Sequence, residues 1–271
     1  MKSPNSLLAP VLKPARLTQD IFSLWLHAPS LARAVKPGQF LGVKTAPGLE
    51  PLLRRPISVA DVQDGRLRLV FRVVGQGTEI LSHTKKGDRL DVLGPLGKPA
   101  AVPQKRAQLI CGGGVGAAPL LFYCRRLKNP KAARVFLGAR TRKDLILVSE
   151  FRRLGVKLAL ATEDGSTGHT GMVTELVKNE IRNQIPETRC QKSGKRTANG
   201  KERPAVVACG PKPMLRALVD LLDPVPVWGF VEERMGCGTG ICYCCALERK
   251  DGGYVRFCQE GPVVLLNEVK L

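Results

Sequence analysis

The sequence predicts a multidomain β plus α/β protein. An antiparallel β-barrel spans residues 1–103, a parallel-sheet α/β domain 104–226 and a small cysteine-rich module 227–271. Three observations lead there. The first hundred residues are short alternating segments punctuated by Pro and Gly, apolar runs alternate with helical stretches after residue 107, and five cysteines crowd the last forty-odd residues. A 271-residue chain that is 44% hydrophobic excludes disorder throughout.

In the first part, residues 59–74 alternate polar and apolar side chains around Gln63-Asp64-Gly65, as a hairpin does. Turn signals recur at Pro37-Gly38, Pro47-Gly48, Pro51, Pro56, Gly75, Gly77, Gly87, Gly94-Pro95 and Gly97. Short strands broken this often form a small antiparallel barrel or sandwich, with a two-layer α+β arrangement as the alternative.

From residue 107 the pattern changes. An apolar run to Cys111 meets a glycine turn and a helical stretch over 117–127, followed by a strand over 134–137, a helix over 143–154 and a strand over 156–161. A helix over 173–182, a strand over 205–209 and a helix over 213–222 complete the alternation, which is that of βαβ units on a parallel sheet. Residues 187–203 carry six basic and two acidic side chains and read as an exposed loop insertion, either a solvated basic loop or a docking site for an acidic surface.

Cys237, Cys242, Cys245 and Cys258 are spaced C-x4-C-x2-C-x12-C, the first three in the glycine-rich loop Gly236-Cys237-Gly238-Thr239-Gly240 and onward. That is the plant-type spacing for a 2Fe-2S cluster, with two thiolates for each iron. Structural zinc also takes four thiolates but favours two close pairs of knuckle cysteines. Cys244 falls outside the x4/x2 spacing and reads as a non-ligand, and Cys111, Cys124, Cys190 and Cys209 as buried or loop thiols. A cluster carries one electron at a time, so another group in the chain or its complex must convert between single electrons and pairs, a demand that points to a flavin.

Three turns could serve a flavin and a nucleotide. Arg55-Pro56-Ile57-Ser58 offers a guanidinium and a hydroxyl where a Pro-rich loop enters a strand. Gly75-Gln76-Gly77-Thr78 is a glycine turn at a helix start, suited to a phosphate or to plain N-capping by Thr78. Gly112-Gly113-Gly114-Val115-Gly116-Ala117 fits G-x-G-x-x-A between strand and helix. The acid that normally holds the ribose about 20 residues later is absent, since Leu137-Gly138-Ala139-Arg140 stands there. Cys209-Gly210-Pro211 ends the last strand of this domain, at the sheet edge where ligands bind. His27, His83 and His169 are scattered without ligand spacing.

The formal net charge is +20, which favours anionic partners without choosing among nucleic acid, membrane, phosphate ligands and acidic proteins. Aromatic residues are only 5%, a poor supply of base-stacking platforms. The start of the chain shows no secretory signal, and the longest uncharged stretch, 107–124, is 18 residues and broken by four glycines between 112 and 116, so no membrane span is expected. Nine cysteines in that setting point to a reducing cytoplasm.

Through Arg55-Pro56-Ile57-Ser58, Gly112 to Gly116 and Cys209-Gly210-Pro211, the chain resembles the ferredoxin–NADP reductase superfamily. Its order of domains, ending in the cysteine loop, is similar to the electron-transfer subunits of NAD-dependent dihydroorotate dehydrogenases over residues 5–271. The resemblance implies FAD on Arg55, Pro56, Ile57 and Ser58, on Val70, Phe71 and Arg72, and on Gly77 and Thr78. It implies NAD on Gly112, Gly113, Gly114 and Gly116, with Cys209 and Gly210 near the nicotinamide, and a 2Fe-2S cluster on Cys237, Cys242, Cys245 and Cys258. The implied partner is an FMN-containing catalytic subunit oxidising dihydroorotate in pyrimidine biosynthesis, in a heterotetramer of two copies of each subunit. Electrons would run FMN, cluster, FAD, NAD. Ile57 departs from the Tyr of many superfamily members, and neither the 187–203 insertion nor the charge belongs to this pattern. Two rivals remain: a reductase subunit serving ferredoxin, a hydrogenase or a transhydrogenase, and a basic nucleic-acid-binding protein with a zinc module.

Overall fold

The fold was obtained as a computed structural model, and the structure describes residues 5–46, 48, 50–104, 108–184 and 204–271. The 187–203 insertion with Cys190, and Pro47, lie outside the described residues.

The first part is a closed six-stranded barrel in the order β1-β2-β5-β4-β3-β6, formed by β1 (Asn5–Arg16), β2 (Ile21–His27), β3 (Phe40–Val43), β4 (Arg55–Gln63), β5 (Arg66–Arg72) and β6 (Arg89–Leu96). Short helices α1 (Pro29–Ala34) and α2 (Gln76–Ser82) fill two of its connections. The β4–β5 hairpin turns on Asp64 and Gly65, both left-handed at φ 47° and 74°, which suits the tight Asp-Gly turn. Closure removes exposed strand edges, and alternate residues such as Leu24, Leu26, Leu67 and Leu69 fill the interior.

The second part is a seven-stranded sheet in the order β10-β9-β8-β7-β11-β12-β15. Its chain runs through β7 (Gln108–Gly113), α3 (Ala117–Arg125), β8 (Arg134–Ala139), α4 (Val148–Arg153), β9 (Lys157–Thr162), β10 (His169–Thr170), α5 (Val173–Gln184), β11 (Ala205–Cys209), α6 (Lys212–Leu222) and β12 (Val227–Phe230). These strands pair in parallel, and every residue of central strands β7 and β11 is buried, as expected when helices cover both faces. The chain leaves the sheet centre toward β10 and then returns to place β11 on the other side of β7. That reversal opens a crevice at the strand ends.

The last part holds a two-stranded ribbon, β13 (Ala246–Glu248) with β14 (Tyr254–Arg256), before β15 (Val263–Leu265) returns antiparallel to β12. Residues 231–262 are thus an excursion from one edge of the sheet. Cys245, Phe257 and Cys258 share an apolar cluster with sheet residues Val206 and Val227 and with Leu266 just past β15.

Two elements differ from the sequence expectation. The helix expected over 143–154 begins only at Val148. Thr141 and Asp144 close a separate 3-10 turn, Thr141 Oγ1 accepting from Lys143 N, and Leu147 at φ 61° resets the chain before the helix. The short strand β10, unmarked by any apolar run, is held by pairing with Ala161 and Thr162 of β9.

Charged ties join barrel to sheet. Asp61 of β4 is fully buried and pairs with Arg125 of α3 at 2.6 Å, and Arg68 of β5 pairs with Glu150 of α4 at 3.0 Å. Burial alone would raise the Glu150 pKa, but hydrogen bonds from Ser149 and Arg68 outweigh it and hold the carboxyl below its usual range. Its stabilisation is therefore complete above the unfolded value of about 4.3 and is lost as pH falls through the lower folded value. Glu150→Gln should flatten this acid limb in pH-dependent urea unfolding. Asp61→Ala should cost roughly 2 kcal/mol in the same assay, below the ~3–5 kcal/mol of a fully buried pair, because the Arg125 side chain is 30% exposed.

Candidate flavin, nucleotide and cluster site

A cavity of about 970 Å³ lies between the barrel wall and the C-terminal ends of the sheet strands. On the barrel side it is lined by Arg55, Pro56, Ile57 and Ser58 of β4, by Val70, Phe71 and Arg72 of β5, and by Thr78. From the sheet come Gly113, Gly114, Gly116 and Gly210. Of the residues singled out in the sequence, Gly77, Gly112 and Cys209 do not line it.

Each of these three supports the lining from behind. At Gly77 a Cβ would lie 2.2 Å from Arg55 Nε, so the missing side chain lets the guanidinium lie across the turn. Arg55 Nη1 in turn donates to the Leu53 carbonyl at 2.5 Å. Gly112 is packed against Leu137 and α3 inside the sheet layer. The Cys209 thiol is buried, and burial pushes its pKa well up, so it is no ready thiolate. The Thr78 hydroxyl accepts from Val74 N at 2.9 Å and donates to the Gly75 carbonyl at 2.9 Å, closing the turn before α2.

A close approach of backbone to backbone lies at the sheet's reversal. A Cβ on Gly116 would stand 2.2 Å from the Cys209 carbonyl oxygen, a backbone atom that cannot swing aside. The glycine turn after β7 and the end of β11 can meet only because that position has no side chain. Their contact shapes the crevice floor, where α3 presents its N-terminal amides.

Glu232, which the sequence reading passed over, also lines the cavity, just past the apolar run of β12. Its surface opens onto the cavity, while the protein packed around the carboxyl pushes its pKa up against the opposing charge of Arg72. Glu233 beside it forms an ion pair with Lys212 at the start of α6. An acidic pair directly after an apolar strand was the visible signal.

The four spaced cysteines converge as two pairs. Cys237 and Cys242 exchange contacts, each backbone N–H facing the other's sulfur at 3.4 and 3.5 Å, and Thr239 N–H adds a third at 3.4 Å. Cys258 N–H faces Cys245 Sγ at 3.4 Å, and Cys258 is within electrostatic reach of both Cys245 and Cys237. Burial would raise the Cys237 pKa, but these amides outweigh it and bring the thiol down to about 5. Burial and the neighbouring Cys245 push Cys258 up to about 12. Among the described residues no three His, Cys, Asp or Glu side chains converge on one metal ion. Two thiol pairs with amides aimed at sulfur instead match the donor set of a two-iron group. Cys244 turns away, toward the Arg234 carbonyl at 3.5 Å.

The cluster loop leans on the wall of the cavity. Phe40, Pro56 and Met235 line both the cavity and a small groove that includes Cys237 and Gly238. One layer of side chains therefore separates the two sites.

A barrel facing a parallel sheet across such a cavity, with a four-thiol loop on its wall, defines an oxidoreductase of the ferredoxin–NADP reductase fold that carries FAD, NAD and an iron–sulfur cluster. Residues 109–220 match the oxidoreductase NAD-binding domain, and residues 232–270 match the iron–sulfur cluster binding domain of dihydroorotate dehydrogenase B. The "Dihydroorotate dehydrogenase B (NAD(+)), electron transfer subunit" of Desulforamulus reducens is 38% identical over 264 residues, covering 94% of each chain. That of Bacillus pumilus is 33% identical over 269 residues, covering 96% of each. A structure of an NADH-dependent reduced ferredoxin–NADP oxidoreductase, solved to study flavin-based electron bifurcation, superposes with a TM-score of 0.80 at 32% identity, over 97% of this chain and 90% of that one. The ferredoxin reductase of carbazole 1,9a-dioxygenase shares the fold, with a TM-score of 0.65 over 82% of this chain and 67% of that one at 23% identity. The chain belongs to the family of dihydroorotate dehydrogenase B electron transfer subunits.

Gly116→Ala should lower the thermal midpoint and weaken NAD binding about tenfold or more, since the clash is with backbone. Equilibrium titration of the oxidised protein with NAD, which cannot reduce the flavin, beside a thermal melt, measures both. A variant that binds NAD like the parent would show that this approach does not shape the crevice.

Proposed function

We propose that this chain passes electrons from the FMN of a dihydroorotate-oxidising catalytic subunit to NAD, in pyrimidine biosynthesis. The observation that carries the reading is the single side-chain layer of Phe40, Pro56 and Met235 between the four-thiol loop and the cavity. When bound, the 2Fe-2S cluster supplies single-electron relay and FAD the conversion of two such electrons into a hydride for NAD.

The residues divide that work. Cys237 with Cys242 and Cys245 with Cys258 each supply two thiolates, the first pair near the surface and the second buried. Arg55 and the turn at Gly77 and Thr78 hold the FAD pyrophosphate, while Ile57, Ser58, Val70, Phe71 and Arg72 face the ring system. The glycine turn through Gly116 and the backbone at Gly210 receive NAD, with Gly112 and Cys209 as support from beneath. Hydride transfer needs orientation of the two rings and no general acid or base at the reacting carbon. The three-part division at 103/104 and 226/227 belongs to the same reading, as does a heterotetramer of two copies of each subunit. Among the described residues no helix is long and apolar enough to cross a membrane, and a cytoplasmic location is proposed.

A second reading is favoured by the 32% identical bifurcating oxidoreductase structure, namely an FAD and 2Fe-2S reductase subunit serving ferredoxin, a hydrogenase or a transhydrogenase. The test is anaerobic purification with FAD, iron and sulfide quantified, followed by mixing with the FMN subunit. One FAD, two irons and two sulfides per chain, with dihydroorotate-dependent NAD reduction, is the expected result. Cofactor loading without that reduction selects the second reading, and zinc without flavin overturns both. Cys258→Ser should abolish the cluster spectrum while leaving the FAD spectrum in place.

A further inference from the structure

Arg256 stands at the end of β14, between the third and fourth cysteines of the motif. Its side chain reaches back into the loop between the first two. Nη1 donates to the Gly240 carbonyl at 3.1 Å, and the guanidinium carbon lies 5.0 Å from the centre of the Tyr243 ring. Gly240 sits at φ 89°, and its N–H faces the Cys258 sulfur. Nε and Nη2 are held by Glu260 Oε1 at 2.9 and 2.8 Å, and Arg256 N–H donates to the other carboxylate oxygen at 3.3 Å. One guanidinium thus touches the segment between Cys237 and Cys242 and the segment between Cys242 and Cys245, and is anchored two residues beyond Cys258. The side chain is only 26% exposed.

We propose that Arg256 is a positioning residue for the iron–sulfur cluster, clipping its loop closed and raising its reduction potential, with Glu260 tempering that rise. The inference rests on the four cysteines holding a 2Fe-2S cluster. Reduction by one electron adds one negative charge to the group of four thiolates, with no bond made or broken and no proton required. A fixed cation beside a partly desolvated group favours the more negative state, and a fixed anion disfavours it. The Gly240 contact serves geometry: the carbonyl held by Arg256 and the N–H that faces Cys258 lie in consecutive peptide units joined at the Gly240 Cα, so fixing one restrains rotation of the other. A planar fork can bond Gly240 and Glu260 at once while lying over Tyr243, which a lysine ammonium cannot do.

The test is a potentiometric titration of the full chain purified with FAD and cluster, reading the cluster by EPR and the FAD by absorbance in the same sample. Arg256→Gln should lower the cluster potential, shifting the reduced-to-oxidised ratio about tenfold at fixed potential, or about 59 mV for one electron, with the FAD potential unmoved. Arg256→Lys should keep the potential near the parent's but release iron to a chelator faster, because charge survives and the fork does not. Glu260→Gln should raise the potential, and it decides the matter if Arg256→Gln fails to hold a cluster. Potentials unchanged in Arg256→Gln and Glu260→Gln, or moved in the same direction by both, would overturn the proposal. A parent chain with no 2Fe-2S signal would instead overturn the cluster reading beneath it.

Discussion

The cavity exists because barrel and sheet are held at a fixed angle, and buried charge sets that angle. Asp61 has no exposed surface, so its carboxylate must be matched, and Arg125 on α3 matches it from the opposite layer. Arg68 and Glu150 repeat the arrangement one strand away. Apolar packing between the layers, where Phe122 of α3 enters the barrel's own core, supplies adhesion but little direction. Ion pairs with hydrogen-bonded geometry supply the direction, and a sliding interface would leave four charged groups short of partners. Every residue proposed to orient the flavin toward the nucleotide inherits its position from these contacts.

Glycine performs a second kind of positioning. At Gly116 and Gly77 the absence of a side chain lets another group come within a distance no Cβ would permit: a backbone carbonyl in one case, a guanidinium in the other. Both contacts fix the floor and one wall of the same cavity. Its polar groups, Arg55, Ser58, Arg72 and Thr78, are therefore presented by rigid backbone rather than by mobile loops.

Much of this was legible in the sequence, and the physical reasons are specific. Strand alternation and Asp-Gly turn chemistry are local, so the barrel hairpins could be read directly. The thiolate spacing is dictated by the size of the group it holds, so Cys237, Cys242, Cys245 and Cys258 stood out. What escaped depends on contacts across the chain. Glu232 and Met235 matter because β12 delivers them to a cavity shared with β4 and β5, and no periodicity marks that. Arg256 resembles any basic residue in a ribbon until Gly240 is seen beneath it. The late start of α4 followed from Leu147 adopting a left-handed backbone that its side chain type does not advertise.

The excursion that carries the cysteines leaves the sheet at β12 and returns beside it at β15, with Trp228, Gly229 and Phe230 facing Leu265, Val264 and Val263. The redox centre is thereby stitched into the hem of the nucleotide-binding sheet instead of hanging from it as an appendage. Both ends of the cysteine-bearing segment are pinned on one strand pair: it departs where β12 ends and returns where β15 begins, so the loop is a span fixed at two neighbouring points rather than a tail fixed at one.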